Sequence, residues 1–427
     1  GADIRGFNSP LITVSTNGVH AFNAPSVATI TIRGIRFKGS SASTVPLTGY
    51  GGYAAANTGL VTMTSCTDVR VEDCEFDTYY NGLTAQNCDR LWLNRNRVVT
   101  FTYHGILASL STQFQIDHNI VTDCAQAGAV VSYGIAATGD EAGANTQQQN
   151  SISFNIISGV PSWDGIMTHD VTGLSVIGND IRNVRGGIDI GHLVATNRIR
   201  NIIVSDNYIK STTTDTWAGA ANAGGILIAG FDATDRLLGA VVANNIVDSF
   251  FTGAMTGGGN PSHIVIANVD DCTVTGNVVK LGGSTISNAG IRVSGTCNRL
   301  AVTGNSLQGA MAQGGIRLAT VTSDGVAITG NVIKQTTATV EAVVASAGTI
   351  TALAMAGNST NSTVPWSNAA ATVTFAGMEL EGSATYDPPS LADGAGTTTT
   401  VTVTGAAVGD FASASFGGDT QGITITA

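Results

Sequence analysis

Asn81, His104, Tyr133 and Asp164 each stand directly before a glycine, and each glycine precedes an aliphatic residue at comparable spacing along the chain. One residue earlier come Tyr80, Tyr103, Ser132 and Trp163, with Arg185 in the same column of the next repeat. Beyond the aliphatic residue lie His169, Asp170, Asp189 and His192. Aromatic faces stack on the C–H side of sugars, while carboxylates and imidazoles bond hydroxyls and move protons. Tyr79, Tyr80, Tyr103, Tyr133 and Trp163 are five of the chain's twelve Tyr and Trp residues (8 Tyr, 4 Trp), gathered within four repeats. That concentration marks a candidate carbohydrate groove, with Tyr80, Tyr103, Tyr133, Trp163, His169 and Arg185 as binding groups.

Hydrolysis of a glycosidic bond needs two carboxyl groups, about 5–5.5 Å apart for retention and about 6.5–9.5 Å for inversion. Asp164 and Asp189 fall on adjacent repeats, displaced by about three residues, which gives a separation of about 11 Å from strand rise and strand spacing. Asp189 sits mid-strand on an outward face, between Met167 and Leu227 of the flanking repeats, where a lone carboxylate has no turn to cap. Asp164 and His104 have structural alternatives as a turn cap and a hydrogen-bonded corner histidine. The segment ATGDEAGANTQQQN lacks any strand pattern and could carry Asp140 and Glu141 toward a ligand, or serve as a solvated loop or subunit contact. β-Elimination is the competing chemistry, with His104, Tyr133 and Arg185 as base and carboxylate-steadying groups. Asp189, Asp164 and His104 are thus the catalytic candidates, and hydrolysis is favoured over elimination. No cluster of acids or cysteines has metal-binding spacing, so neither metal nor cofactor is implied.

These residues need a scaffold that brings distant segments into register. Eleven short β-branched runs, among them ITIRGIRF, VRVEDCEF, LWLNRNRV, LSVIGNDI and TVTGNVV, each meet a turn residue and a second apolar pair. A twelfth, degenerate copy is AMAGNST. With Gly34, Asp73, Asn96, Asn119, Asn155, Asn179, Asn207, Asn245, Asn277, Asn305, Asn331 and Asn358 as equivalents, the differences are 39, 23, 23, 36, 24, 28, 38, 32, 28, 26 and 27. A step with a fixed minimum that stretches freely describes a coil with insertions at one corner. The reading is an all-β chain: a right-handed, single-stranded, pectate-lyase-like parallel β-helix over 1–360, with a small β-sandwich-like module over 361–427. Stacked coils let the turn asparagines bond to one another as a ladder, so those residues are structural. Cys66 and Cys88, one coil apart, are expected as a stacked thiol pair, with a disulfide as the alternative.

Charged residues are 11% of the chain, against about 25% in typical soluble domains, as a long buried core requires. The formal net charge of −11 argues against a nucleic-acid partner, which would call for a basic stripe. No apolar run of about 18 residues is present, so no membrane span is expected. Leu11 to Phe22 already has strand character, so the chain is expected to begin inside a coil, with an N-terminal part missing. From Val373 the pattern changes: TVTF, a Tyr386-Asp387-Pro388-Pro389 break, TTTTVTVTG and GITITA are expected as antiparallel strands.

The stretch YDPPSLADGAGTTTTVTVTGAAVGDFASASFGGDTQGITITA, about a tenth of the chain, resembles a C-terminal module of bacteriophage tailspike, tail-fibre and glycan-hydrolase-like proteins. With a β-helix ahead of it, the order of parts is similar to the tailspike plan. The resemblance implies a homotrimer, mounted on a phage tail or baseplate, that binds and often cleaves a surface polysaccharide of the bacterial host. It implies a virion or extracellular location and transfers no catalytic residue. No N-terminal virion-attachment domain is visible. A non-catalytic receptor-binding tail protein, a secreted bacterial polysaccharide lyase and a structural fibre knob are the alternatives. Low charge on the strand faces suggests that partner chains cover outward residues such as Leu227 and Val265.

Overall fold

A computed structural model describes residues 2–6, 10–14, 20–39, 59–125, 132–139, 149–192, 199–211, 224–248, 262–281, 289–337, 339–369 and 371–375. The described residues form thirty-six strands, all joined through parallel ladders. Each coil passes through three faces. The first face holds, for example, Thr67–Glu72, Asp89–Asn94 and Thr112–Asp117; the second begins at Glu75, Arg97 and Ile120; the third includes Tyr133–Thr138, Gly224–Ala229 and Ser262–Ala267. In several coils the second and third faces are one bent strand, as in Ile156–His169 and Asp180–Gly191. Parallel strands joined by right-handed crossovers make this a right-handed parallel β-helix.

Alternation along each strand fills the interior. On the third face Leu83, Ile106, Ile135, Ile166, Ile188, Ile226, Ile264, Ile291 and Ile316 are successive register partners and all are buried. Burying each contributes roughly 1.5–3 kcal/mol.

The corner between the first and second faces is made by two residues. The first adopts a left-handed conformation: Arg95, His118, Phe154, Gly178, Asp206, Asn244, Gly276, Gly304, Gly330 and Gly357 all have positive φ. The second is an inward asparagine. From Asn96 to Asn358 each side-chain carbonyl accepts from the backbone N–H of the rung before it. Each amide between Asn96 and Asn331 also donates to the next asparagine's Oδ1. The asparagine ladder is therefore confirmed, with one correction at its start. Asn96 stacks on Cys74, and Glu75 bonds to Ile35, so the equivalents below Asn96 are Cys74 and Ile35 rather than Asp73 and Gly34. The shortest step is then 22 residues (96 minus 74).

Insertions enter at two corners, not one. Residues 40–58, 126–131, 212–223, 249–261 and 282–288 lie in the chain between second-face and third-face strands, whereas 140–148 and 193–198 follow third-face strands. The asparagine corner takes none, because its hydrogen bonds fix the path from one strand to the next. Cys66 stacks under Cys88 as expected, and all six cysteines are buried thiols.

The chain separates into two compact units, 1–376 and 377–427, and the second lies outside the described residues, as does the module expected there. Strands Trp366–Asn368 and Ala371–Phe375 still pair in parallel with the preceding coil. TVTF is thus a β-helix strand, not the first of an antiparallel set, because its partner Gly348–Ala356 presents a parallel edge. No helix among the described residues is long and apolar enough to cross a membrane.

Candidate functional site

Register places the predicted residues on one face. Asn81 pairs with His104 and His104 with Tyr133, while Asp164 pairs with Gly186 and Met167 with Asp189. The aromatic part of this column is closed rather than open. Tyr80 lies against Tyr103 with ring centroids 5.4 Å apart, Tyr103 is 6.2 Å from Tyr133, and His104 is inserted beside both, at 3.8 and 5.5 Å. All four side chains are buried. The coil spacing of about 4.8 Å is close to ring-stacking distance, so aromatic groups on successive coils cover one another. Trp163, half-buried, carries the Arg185 guanidinium 5.4 Å from its ring centre.

His104 is held by Asn81, whose Oδ1 accepts from its backbone N–H at 3.0 Å and lies 3.2 Å from its Nδ1. Burial pulls the imidazole down to about 3. It stays neutral at ordinary pH and is a weak base. Burial likewise pulls His169 down to about 4, with the neighbouring His192 adding to the effect. His192 Nδ1 is 3.8 Å from Asp170 Oδ1, at the end of the same strands.

The two carboxylates, like the half-buried Asp117, are raised by burial. Asp164 projects over Gly186 on the next coil: a Cβ at that glycine would come within 1.7 Å of Asp164 Oδ1. The missing side chain is what admits the carboxylate. Asp164 is buried, and its Oδ2 has no hydrogen-bond partner among the described residues. Burial raises its pKa well above the usual carboxylate range, the Asp189 charge raises it further, and Arg185 opposes both. Burial pushes Asp189 up to about 7. By contrast, Asp68, Asp73 and Asp271 bond to arginines and are lowered. Asp189 Oδ1 and His169 Cδ2 lie 3.8 and 4.0 Å from where a Cβ on Gly191 would sit, so the two share the space beside that bare residue.

The structure therefore brings together Asp164, Asp189, Arg185, Trp163 and His169, with the packed Tyr80, Tyr103, His104 and Tyr133 continuing the same face. Asp140 and Glu141 lie outside the described residues. Gly186 is the residue that sequence reading missed; its signal was the Gly186-Gly187 doublet, where most repeats carry one glycine. A cleft of about 440 Å³ lined by Asp248, Lys280, Leu281, Gln308 and Lys334 lies on the second face and has no carboxylate pair. No group of three or more His, Cys, Asp or Glu suited to a metal ion occurs among the described residues.

A family model described as "Right handed beta helix region" matches residues 4–139. Comparison with curated proteins finds no match. Among solved structures, the chain is similar to an alginate lyase from Paenibacillus sp. str. FPU-7, at 15% identity over 66% of this chain and 92% of that one, with a TM-score of 0.41. It is similar to the catalytic unit of a thermostable GH87 alpha-1,3-glucanase from Streptomyces thermodiastaticus strain HF3-3, at 12% identity over 82% of this chain and 62% of that one, TM-score 0.41. The receptor binding domain of the Siphovirus 9NA tailspike is similar at 10% identity, over 90% of this chain and 75% of that one, TM-score 0.41. These likenesses are of fold alone.

Proposed function

We propose that this chain binds and hydrolyses a bacterial surface polysaccharide, in the manner of a phage tailspike engaging its host, with Asp164 and Asp189 as the acid pair. The observation that carries the reading is the pair itself: two carboxyls on one outward face, both raised, one by the other's charge. Two such groups hold a proton between them near neutral pH, the condition for one to donate to a leaving oxygen while the other stays ionised. Asp164, raised by burial and by its neighbour, is the proton donor; Asp189 is the base.

Asp164 Oδ1 lies over Gly186, three residues before Asp189, so extended chain separates the two positions by at most about 10 Å. The wider spacing of inverting enzymes is the closer match. The half-buried Trp163 offers an apolar face beside the pair. Elimination is less well supported, because the buried, neutral His104 is a poor base for a sugar C–H.

The tailspike setting rests on the resemblance of residues 386–427, and with it the virion location and the trimer. Val265 is already buried within one chain, so it is not a surface awaiting a partner. The exposed aliphatic residues Ile120, Ile156, Ile246 and Val332 fall in one register column of the second face and are the better candidates for subunit contact. Incubation with purified capsular and O-chain polysaccharides, followed by mass analysis, tests the activity. Hydrolysed oligosaccharides are the expected product; unsaturated fragments indicate elimination, and binding without fragments indicates a receptor-binding protein. A light-scattering mass of one chain, 43.3 kDa, would refute the trimer.

A further inference from the structure

The chain has four lysines, Lys38, Lys210, Lys280 and Lys334. All four fall in one outward register column near the end of the second face, which runs from Lys38 through Asp77, Arg182, Lys210, Asp248, Lys280 and Gln308 to Lys334. On the coil after Lys38 the same position is Asp77, and the two side chains lie 3.5 Å apart. On the coil after Lys210 it is Asp248, at 3.6 Å. On the coil after Lys280 the position is Gln308, and after it comes Lys334. Neither Lys280 nor Lys334 has a carboxylate within ion-pair distance among the described residues, and both are exposed. The column thus changes from paired to unpaired ammonium groups at one place.

That place is the 440 Å³ cleft, which Lys280, Gln308 and Lys334 line together. Asp248 lines it too, but its carboxylate is already engaged by Lys210 and by the Tyr208 hydroxyl, which donates at 3.4 Å. Lys210, Lys280 and Lys334 against Asp248 leave a local charge of +2 (3 minus 1) on a chain of net charge −11. The backbone of the cleft is fixed. Leu281 N–H donates to Gln308 O at 2.8 Å and Thr336 N–H to Gly309 O at 3.1 Å, while the Gln335 amide donates to the carbonyls of Val340 and Glu341. Gly309 has a φ of +128°, and a Cβ on it would come within 2.6 Å of Leu281 O, so only a bare residue fits there. A volume of this size lies in the range of small-molecule sites, about 300–1,000 Å³, and is generous for a lone inorganic anion. The lining is of three kinds. Two ammonium groups rise from backbones two coils, about 10 Å, apart. Gln308 and Thr336 offer an amide and a hydroxyl, and Leu281 and Gly309 an apolar surface. A sugar bearing a carboxylate has the matching parts: an acid group, hydroxyls and a C–H face.

We infer that this cleft is a second glycan site, separate from the third-face reaction centre, that takes a sugar unit carrying a carboxylate. It rests on the proposed reading of a polysaccharide as the partner, but not on the roles of Asp164 and Asp189. The test titrates the full chain with trigalacturonate and trimannuronate, with the same trisaccharides after carbodiimide-mediated reduction of their carboxylates, and with inorganic phosphate, read by calorimetry. At least one uronate is expected to bind, to weaken as sodium chloride is raised, and to bind at least about tenfold more tightly than its reduced form. Lys280→Gln and Lys334→Gln are each expected to weaken it about threefold or more, and the double variant at least about tenfold. Lys38→Gln removes the same charge from a paired member of the same column and is expected to change nothing. Absence of uronate binding, binding unchanged in the double variant, or an equal loss in Lys38→Gln overturns the inference. Phosphate or the reduced trisaccharide bound as tightly as the uronate also overturns it, by removing the sugar acid as ligand. Cleavage of a capsular polymer without uronate binding removes this site and leaves the proposed activity standing. Lysine-dependent uronate binding with no polymer cleaved keeps the site and removes the hydrolytic reading.

Discussion

Replacing Asn277 by alanine tests the ladder at a fully enclosed rung. Asn277 Oδ1 accepts from both the backbone N–H and the side-chain amide of Asn245, each at 3.0 Å. Its own amide donates to Val242 O and Asn305 Oδ1, each at 2.9 Å. The substitution leaves two buried donors on Asn245 without an acceptor. At about 1–3 kcal/mol for each stranded donor, the expected loss of stability is about 2–6 kcal/mol. Asn96 provides an internal comparison, because the rung beneath it is Cys74, which offers only its backbone N–H. Asn96→Ala therefore strands one donor and is expected to cost about 1–3 kcal/mol, roughly half as much. Urea denaturation followed by tryptophan fluorescence measures both, with unfolding rates compared if refolding is incomplete. Equal costs at the two rungs, or a cost at Asn277 below about 0.5 kcal/mol, would refute the accounting, since that is the level of an ordinary surface change. Glycan binding should be unchanged, because the ladder corner lies away from the third face.

Asp189→Asn is expected to reduce turnover by at least about 100-fold while leaving binding largely intact. The same variant has a pH signature in stability. A carboxyl raised from 3.8 to about 7 in the fold holds its proton more tightly there than in the unfolded chain, so wild-type stability falls as pH rises through that window. Asp189→Asn should raise the thermal midpoint at pH 8 and not at pH 4; the reverse order would contradict the assignment. Gly186→Ala should displace the Asp164 carboxylate, since its Cβ would overlap Oδ1, and so lower turnover more than affinity in steady-state kinetics. Trp163→Ala should weaken glycan affinity by about 1–2 kcal/mol in a fluorescence or calorimetric titration, and unchanged affinity would place the sugar on another face.

Much of this was readable from spacing. The asparagine column was legible because one amide repeats wherever coils stack, and the glycine-isoleucine strands because alternation puts Ile188 and Ile190 inside with Asp189 outside. At Gly34 and Asp73 the reading slipped by one. There the inward position is held by Ile35 and Cys74, and the polar residue before it is the left-handed one, so composition pointed to the wrong member of the pair. The chemistry of the tyrosine column was legible, but its burial was not. Whether neighbouring rings open onto solvent or pack together depends on side-chain direction across coils, which residue spacing does not carry. Asp164 was legible as a candidate; that its carboxylate leans over Gly186 was not, because the cause lies 22 residues away (186 minus 164).

The asparagine corner has a consequence for how such a chain changes over generations. Every rung from Asn119 to Asn305 presents the same acceptor downward and the same donor upward, so neighbouring rungs are interchangeable. Removal of one whole turn would let Asn245 meet Asn305 as it now meets Asn277. Length can therefore vary in whole turns with no new bond type required. Each such event slides everything beyond it by one notch of about 4.8 Å along the axis. Features far apart on one face, such as Lys210 and Lys334, are thus spaced as on a ratchet, and fine adjustment falls to the insertions at the other two corners.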